Sequence, residues 1–225
     1  ETDRAMAQAL EILRAAFRDR KGDIEGAVRE GLELLRRVPT DGSPKPLVGI
    51  VGEIYVRCNA FSNENVVRCI ESLGGEAWLA PMSEWILYTA SSQRRNVKEH
   101  AMGWRAALEA YLKNRFLHSD EHRFYELAGD LLAERREPLI EEVMEAGERY
   151  IPHEFEGESV LTIGRAVLFA RQGAALVVNC GPFTCMHGSI TDAIFQEISE
   201  EIGIPIVNMA YDGEGGQNPR LEVFF

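Results

Sequence analysis

Three of the four cysteines, Cys58, Cys180 and Cys185, follow short apolar runs and stand among loop-forming residues, which is where the chain's chemistry is to be sought. Thiolates are the donors that soft metals and iron–sulfur clusters select. Cys180 and Cys185 lie in Asn179-Cys180-Gly181-Pro182-Phe183-Thr184-Cys185-Met186-His187-Gly188. Their Cys-x4-Cys spacing matches neither the usual zinc-ribbon pairs nor a redox Cys-x-x-Cys. A zinc ion would need a further donor, and His187 is the nearby candidate; a lone histidine two residues past a cysteine is more often an ordinary loop residue. Free cysteine is also often a small buried hydrophobe, and Cys69, on one helical face with Val66, Ile70 and Leu73, reads as core. Asp212 and Glu214 could act as acid or base in the turn Tyr211-Asp212-Gly213-Glu214-Gly215-Gly216, although acidic turn residues are commonly only solvated. Neither a Walker nor a Rossmann fingerprint accompanies those glycines, and nothing supports a Ser-His-Asp triad.

The elements that must position these groups follow from hydrophobic periodicity. Met6, Ala9, Leu10, Leu13, Ala16 and Phe17 recur at helical spacing, as do Ala27, Val28, Gly31, Leu32 and Leu35. Asp23 can cap the second of these helices, and Pro39 with the stretch at 41–44 ends it. Strands are expected at 47–52, 76–81, 174–179 and 204–209, the first and third of them buried, with helices at 63–73, about 159–171 and 189–202 between them. Ser189 and Asp192 have capping-box spacing. Residues 91–150 hold ten bases and twelve acids among helix formers and only three glycines, which predicts a helical insertion with solvated faces. The fold expected is α/β: an open parallel sheet of about four strands, helices on both faces and that insertion at about 91–150. A helical segment, 1–46, precedes the α/β domain, 47–225. Ligands of such sheets bind beyond the carboxyl ends of the strands, so Cys58, Cys180 and Cys185 are expected on one rim.

Composition narrows the classes. With 24 Lys and Arg against 36 Asp and Glu the net charge is −12, which argues against nucleic acid as a partner. Half of that excess belongs to residues 187–225, with seven acids and one base. The apolar runs are too short to span a bilayer, and four cysteines in 225 residues make no disulfide scaffold, so a reducing cytoplasm is expected. The chain opens on Glu1 and closes on Val223-Phe224-Phe225, which reads as one module of a longer polypeptide.

An ordered set of motifs carries a family resemblance. Gly52-Glu53-Ile54-Tyr55-Val56-Arg57-Cys58-Asn59 with Phe61, Gly74-Gly75-Glu76, Ser83-Glu84-Trp85, the Asn179 to Cys185 segment, Gly203-Ile204-Pro205 and Tyr211-Asp212-Gly213 resemble the C-terminal part of acyl-CoA dehydratase activase-related proteins. That group is itself similar to 2-hydroxyglutaryl-CoA dehydratase and benzoyl-CoA reductase subunits. The resemblance runs from about Leu47 to the end of the chain. It implies a [4Fe-4S] cluster, or two bridged cubanes, used in ATP-driven low-potential electron transfer. Cys58 and Cys180 match ligand-bearing positions, and Cys185 belongs to the same motif in the activase-related branch. Dehydratase subunits often carry a further cysteine where this chain has Ser83, Glu84 and Trp85. The partners implied are the remaining domains of its own polypeptide and an acyl-CoA dehydratase-like or other redox protein. A non-catalytic docking domain with structural cysteines is the alternative.

Overall fold

The computed structural model describes residues 1–40, 42–132, 135, 137–155 and 157–225. Two compact units emerge: Glu1–Ser43 with Tyr111–Glu137, and Pro44–Ala110 with Pro138–Phe225.

In the first unit α1 (Thr2–Arg18) packs on α2 (Ile24–Arg36). Gly31 makes the close approach possible, since a Cβ there would stand 3.1 Å from the Ala9 Cβ. Asp23 caps α2 as expected, its carboxylate accepting from Gly26 N at 2.9 Å. Arg36 donates to both carboxylate oxygens of Asp130, at 2.7 and 2.6 Å, and to the Leu127 carbonyl.

The second unit holds the sheet. β1 (Leu47–Gly52) leads through α3 (Ile54–Cys58) and α4 (Val66–Ser72) to β2 (Glu76–Leu79), then α5 (Ser83–Glu99) and α6 (Trp104–Leu127), the latter running into the first unit. After α7 (Ile140–Glu148) and a 3-10 turn at His153–Phe155 come α8 (Glu158–Arg171), β3 (Leu176–Pro182), α9 (Met186–Ile202), β4 (Ile206–Tyr211) and a closing 3-10 segment, Asn218–Phe224. The four strands are all parallel, in the order β2-β1-β3-β4.

Alternation along the strands divides the core in two. Val48, Ile50, Leu176, Val178, Cys180, Val207, Met209 and Tyr211 pack on one face with Val66 and Ile70 of α4. Leu47, Val51 and Val177 pack on the other with α8 and α9, through Phe169, Phe195 and Ile198. Ten of the fourteen residues of α8 are buried, because it lies against the sheet on one side and α7 on the other. No helix among the described residues is long and apolar enough to cross a membrane.

The α/β class, the parallel sheet and the helices on both faces agree with expectation; several boundaries do not. β3 and β4 run on to Pro182 and Tyr211 because Cys180, Gly181 and Pro182 pair with Met209, Ala210 and Tyr211. Cys180, expected in a loop, is therefore a strand residue. The segment expected as a solvated insertion, 91–150, divides: its first residues continue α5, which starts at Ser83, and α7 buries Ile140, Val143, Met144 and Ala146. Only 111–137 joins the residues 1–43 in a separate unit. Interleaved charge does not distinguish a helix solvated all round from one with a buried apolar stripe.

Gly49 faces α8, and a Cβ there would stand 2.4 Å from Phe169 Cδ2. Gly49→Ala should lower unfolding free energy by about 1–3 kcal/mol through overpacking, measured by urea denaturation.

Candidate functional site at the carboxyl edge of the sheet

From adjacent β1 and β3 the chain departs to opposite sides, to β2 and to β4, so the topological switch point lies between them. In open parallel sheets the ligand crevice forms beyond the strand ends at that point. Here the two strands are tied by Glu53 N donating to the Cys180 carbonyl at 2.8 Å. Gly52, with φ +114°, makes the approach possible, since a Cβ there would fall 2.0 Å from that same carbonyl oxygen.

Glu53 then caps α3, its carboxylate accepting from Tyr55 N at 3.1 Å and Val56 N at 2.8 Å. Arg57, one turn on, points inward and is 3% exposed. Its guanidinium donates to the Gly52 carbonyl at 3.3 Å and the Pro81 carbonyl at 3.2 Å, and meets Glu84 Oε2 at 3.5 Å. The other Glu84 oxygen stands 3.8 Å from Nη1 of Arg165, which is also buried. The Arg165 guanidinium lies over the Phe169 ring, 4.5 Å from its centroid. One buried carboxylate thus joins two buried guanidiniums from α3 and α8.

At the end of β3, Cys185 is the N-cap residue of α9, half-buried and without a side-chain cap bond. The helix begins at Met186, one turn before the expected start, so the capping box of Ser189 and Asp192 does not form. Ser189 Oγ instead donates to the Cys185 carbonyl at 3.0 Å, and Asp192 accepts from Asn179 Nδ2 at 3.3 Å. Asn179 Nδ2 also reaches Thr191 and Asn208. His187 Nδ1 pairs with the Ser159 hydroxyl at 3.1 Å, and its ring packs so closely on Gly157 that a Cβ there would meet Cε1 at 2.6 Å. Glu158, beside them, is held above the usual carboxylate range by burial and then by the charge of Glu53; the Ile54 N–H, Arg57 and His187 pull it back.

The three thiols occupy different surroundings. Cys58 ends α3 and is exposed. Cys180 is wholly buried among apolar side chains, its Sγ 3.9 Å from Tyr211 Oη, and burial pushes its thiol up to about 12. Tyr211 Oη donates to Asn218 Oδ1 at 2.8 Å, and Asn218 Nδ2 donates to the carbonyls of Asn63 and Glu64. The site that sheet topology assembles thus has Cys58 and Cys185 open at its edge and Cys180 beneath it. As a ligand set, Cys185, half-open at the N-cap of α9, is accessible to a soft metal or cluster. Cys180, neutral and enclosed, does not fit as an open ligand. Among the described residues no group of three or more His, Cys, Asp or Glu is gathered as a metal ion requires. Cys69 packs against the core, its Sγ 3.8 Å from the Asn218 carbonyl, as the helical pattern implies.

Asp212 and Glu214 are exposed, and Asp212 Oδ1 accepts from Glu214 N at 2.9 Å, closing the turn. Glu64 ties the end of that turn down by accepting from Gly216 N and Gln217 N, both at 3.0 Å. Sequence reasoning missed Arg57, Glu84, Arg165, Glu158 and Ser159. One signal was available: Arg165 is a lone charge in the apolar run of α8, and such a charge requires a partner. Comparison with family models, curated proteins and solved structures finds no match to this chain.

Glu84→Gln leaves two buried guanidiniums without their shared carboxylate and should destabilise the chain by about 3–5 kcal/mol, measured by chemical denaturation. Under native conditions iodoacetamide should label Cys58 first, Cys185 more slowly and Cys180 only on unfolding, as resolved by mass spectrometry. Because the Cys180 thiol is raised from 9.0 to about 12, its contribution is intact below pH 9 and lost as pH climbs through that window; Cys180→Ala should flatten that part of the alkaline decline.

Proposed function

We propose that this chain is an iron–sulfur electron-transfer domain of the acyl-CoA dehydratase activase-related kind, acting with 2-hydroxyacyl-CoA dehydratase-like enzymes. The observation that carries the reading is topological: four of the motifs behind the resemblance, residues 52–61, Ser83-Glu84-Trp85, Asn179 to Cys185 and Tyr211-Asp212-Gly213, stand at the carboxyl ends of the parallel strands, with Cys185 at the N-cap of α9, whereas Gly74-Gly75-Glu76 and Gly203-Ile204-Pro205 stand at the amino edge. A bound [4Fe-4S] cluster would supply the one-electron redox chemistry. This chain's share is Cys185 and the exposed Cys58 at the edge, with Cys180 in the supporting core. The remaining ligands would come from other domains of the same polypeptide. Burial of the Arg57–Glu84–Arg165 group would keep the edge rigid beneath them.

Anaerobic purification of the chain together with its neighbouring domains should yield equal amounts of iron and acid-labile sulfide and a low-temperature EPR signal on reduction. Cys185→Ser should lower the iron content. A colourless, iron-free protein would overturn the reading.

Burial of Cys180 against Tyr211 favours a second reading, a non-catalytic docking domain whose cysteines are structural. Redox activity that survives joint exchange of Cys58, Cys180 and Cys185 for Ser would decide for it. Stoichiometric zinc without sulfide would instead support a thiol site that includes His187.

A further inference from the structure

The two edges of the sheet differ in what they expose. At the carboxyl edge Tyr55, Phe61, Met82, Phe155, Phe183 and Met186 are each more than half exposed, and Phe61 is 94% exposed. The loops at the amino edge, 44–46, 73–75, 172–175 and 203–205, carry no exposed large apolar side chain of their own, although the C-terminal Phe225, 43% exposed, packs there on Gly75. The carboxyl-edge loops are also interlocked. Arg57 bonds the Pro81 carbonyl, Gly157 N donates to the Tyr88 hydroxyl at 2.7 Å, and His187 packs on Gly157. Four aromatic side chains and two methionines stand exposed on this edge, and exposed apolar groups rimmed by polar residues are what interaction sites present.

The charges bordering this surface have one sign. Glu53, Glu64, Glu154, Glu158, Asp212 and Glu214 are exposed or half-buried in the same loops. Across residues 53–65, 80–84, 152–158, 182–189 and 211–217 there is no Lys and a single Arg, Arg57, which is buried against Glu84. An acidic border repels nucleic acid and anionic lipid, and it repels a second copy of itself presented face to face. We propose that the carboxyl edge of the sheet docks a protein surface whose apolar centre is bordered by Lys and Arg. Apolar anchors would supply the affinity, with Phe61 and Phe183 the largest, and the acidic border the orientation and rate of encounter. This docking face stands whether or not the thiols hold a cluster, since it uses none of them.

The test uses the whole chain and two amphipathic helical peptides of matched length, one of Leu and Lys and one of Leu and Glu. Calorimetric titration should show binding of the Leu/Lys peptide only. Phe61→Ser with Phe183→Ser and Met186→Ser should weaken that binding by at least about tenfold, whereas Phe17→Ser, on the exposed face of α1, should leave it unchanged. Asp212→Asn with Glu214→Gln should flatten its salt dependence. Circular dichroism confirms that each variant is folded. The proposal is overturned by equal binding of both peptides, by no binding of either, or by binding insensitive to the triple exchange. It is likewise overturned if the chain sediments as a dimer that the triple exchange dissociates, or binds anionic vesicles in preference to the Leu/Lys peptide.

Discussion

The buried Arg57–Glu84–Arg165 group is the constraint around which the carboxyl half of the α/β unit is organised. Each ion lost its hydration on folding, and the cost of that loss is recovered only if all three stay in register. Glu84 stands at the start of α5, Arg57 in α3 and Arg165 in the middle of α8, so one carboxylate fixes the helices that follow β1 and β2 and the helix that precedes β3. The rings of Phe169 and Trp78 add cation–π contacts to a guanidinium that lies within an apolar face. The charge of Arg57 is felt nearby: it draws down both the Glu158 carboxyl and the Cys180 thiol against the effect of burial.

On this base the edge above separates into a fixed and an open part. Cys180, Tyr211, Asn218 and Asn63 form a buried polar chain that pins the C-terminal segment to the loop after α3. Cys58, Cys185 and the exposed aromatic side chains stand outside it. Preorganised scaffolds commonly carry a stable interior beneath residues left free for a ligand or partner, and the parallel sheet provides this division because every loop after a strand emerges on the same side.

How much of this was legible in the sequence depends on the range of the interaction. Asp23 as a cap, Cys69 as core and the run from Leu47 to Gly52 as a buried strand are local patterns, and each stands in the structure as read. Cys180 was misread because its strand has no apolar residues after Val178 to mark it, and only pairing with Met209 and Tyr211 carries the ladder onward. The spacing of Ser189 and Asp192 suggested a cap, yet the helix starts one turn earlier and Asp192 is engaged by Asn179 from β3. Glu84 reads as an ordinary acid near a helix start, because nothing within a few residues of it reveals two arginines that are distant in sequence.

By itself the sequence determined the α/β class, the alternation of strands and helices along the chain and the acidic net charge. Those follow from periodicity and composition, which act over a few residues at a time. Tertiary structure alone decided which thiol is enclosed and which is open, which two arginines share the buried Glu84 carboxylate, and that the aromatic side chains of separate loops share one edge. These depend on strand order and register, and on the low dielectric of the interior, where the free energy of a charge or thiol is set by neighbours that the chain brings together only on folding.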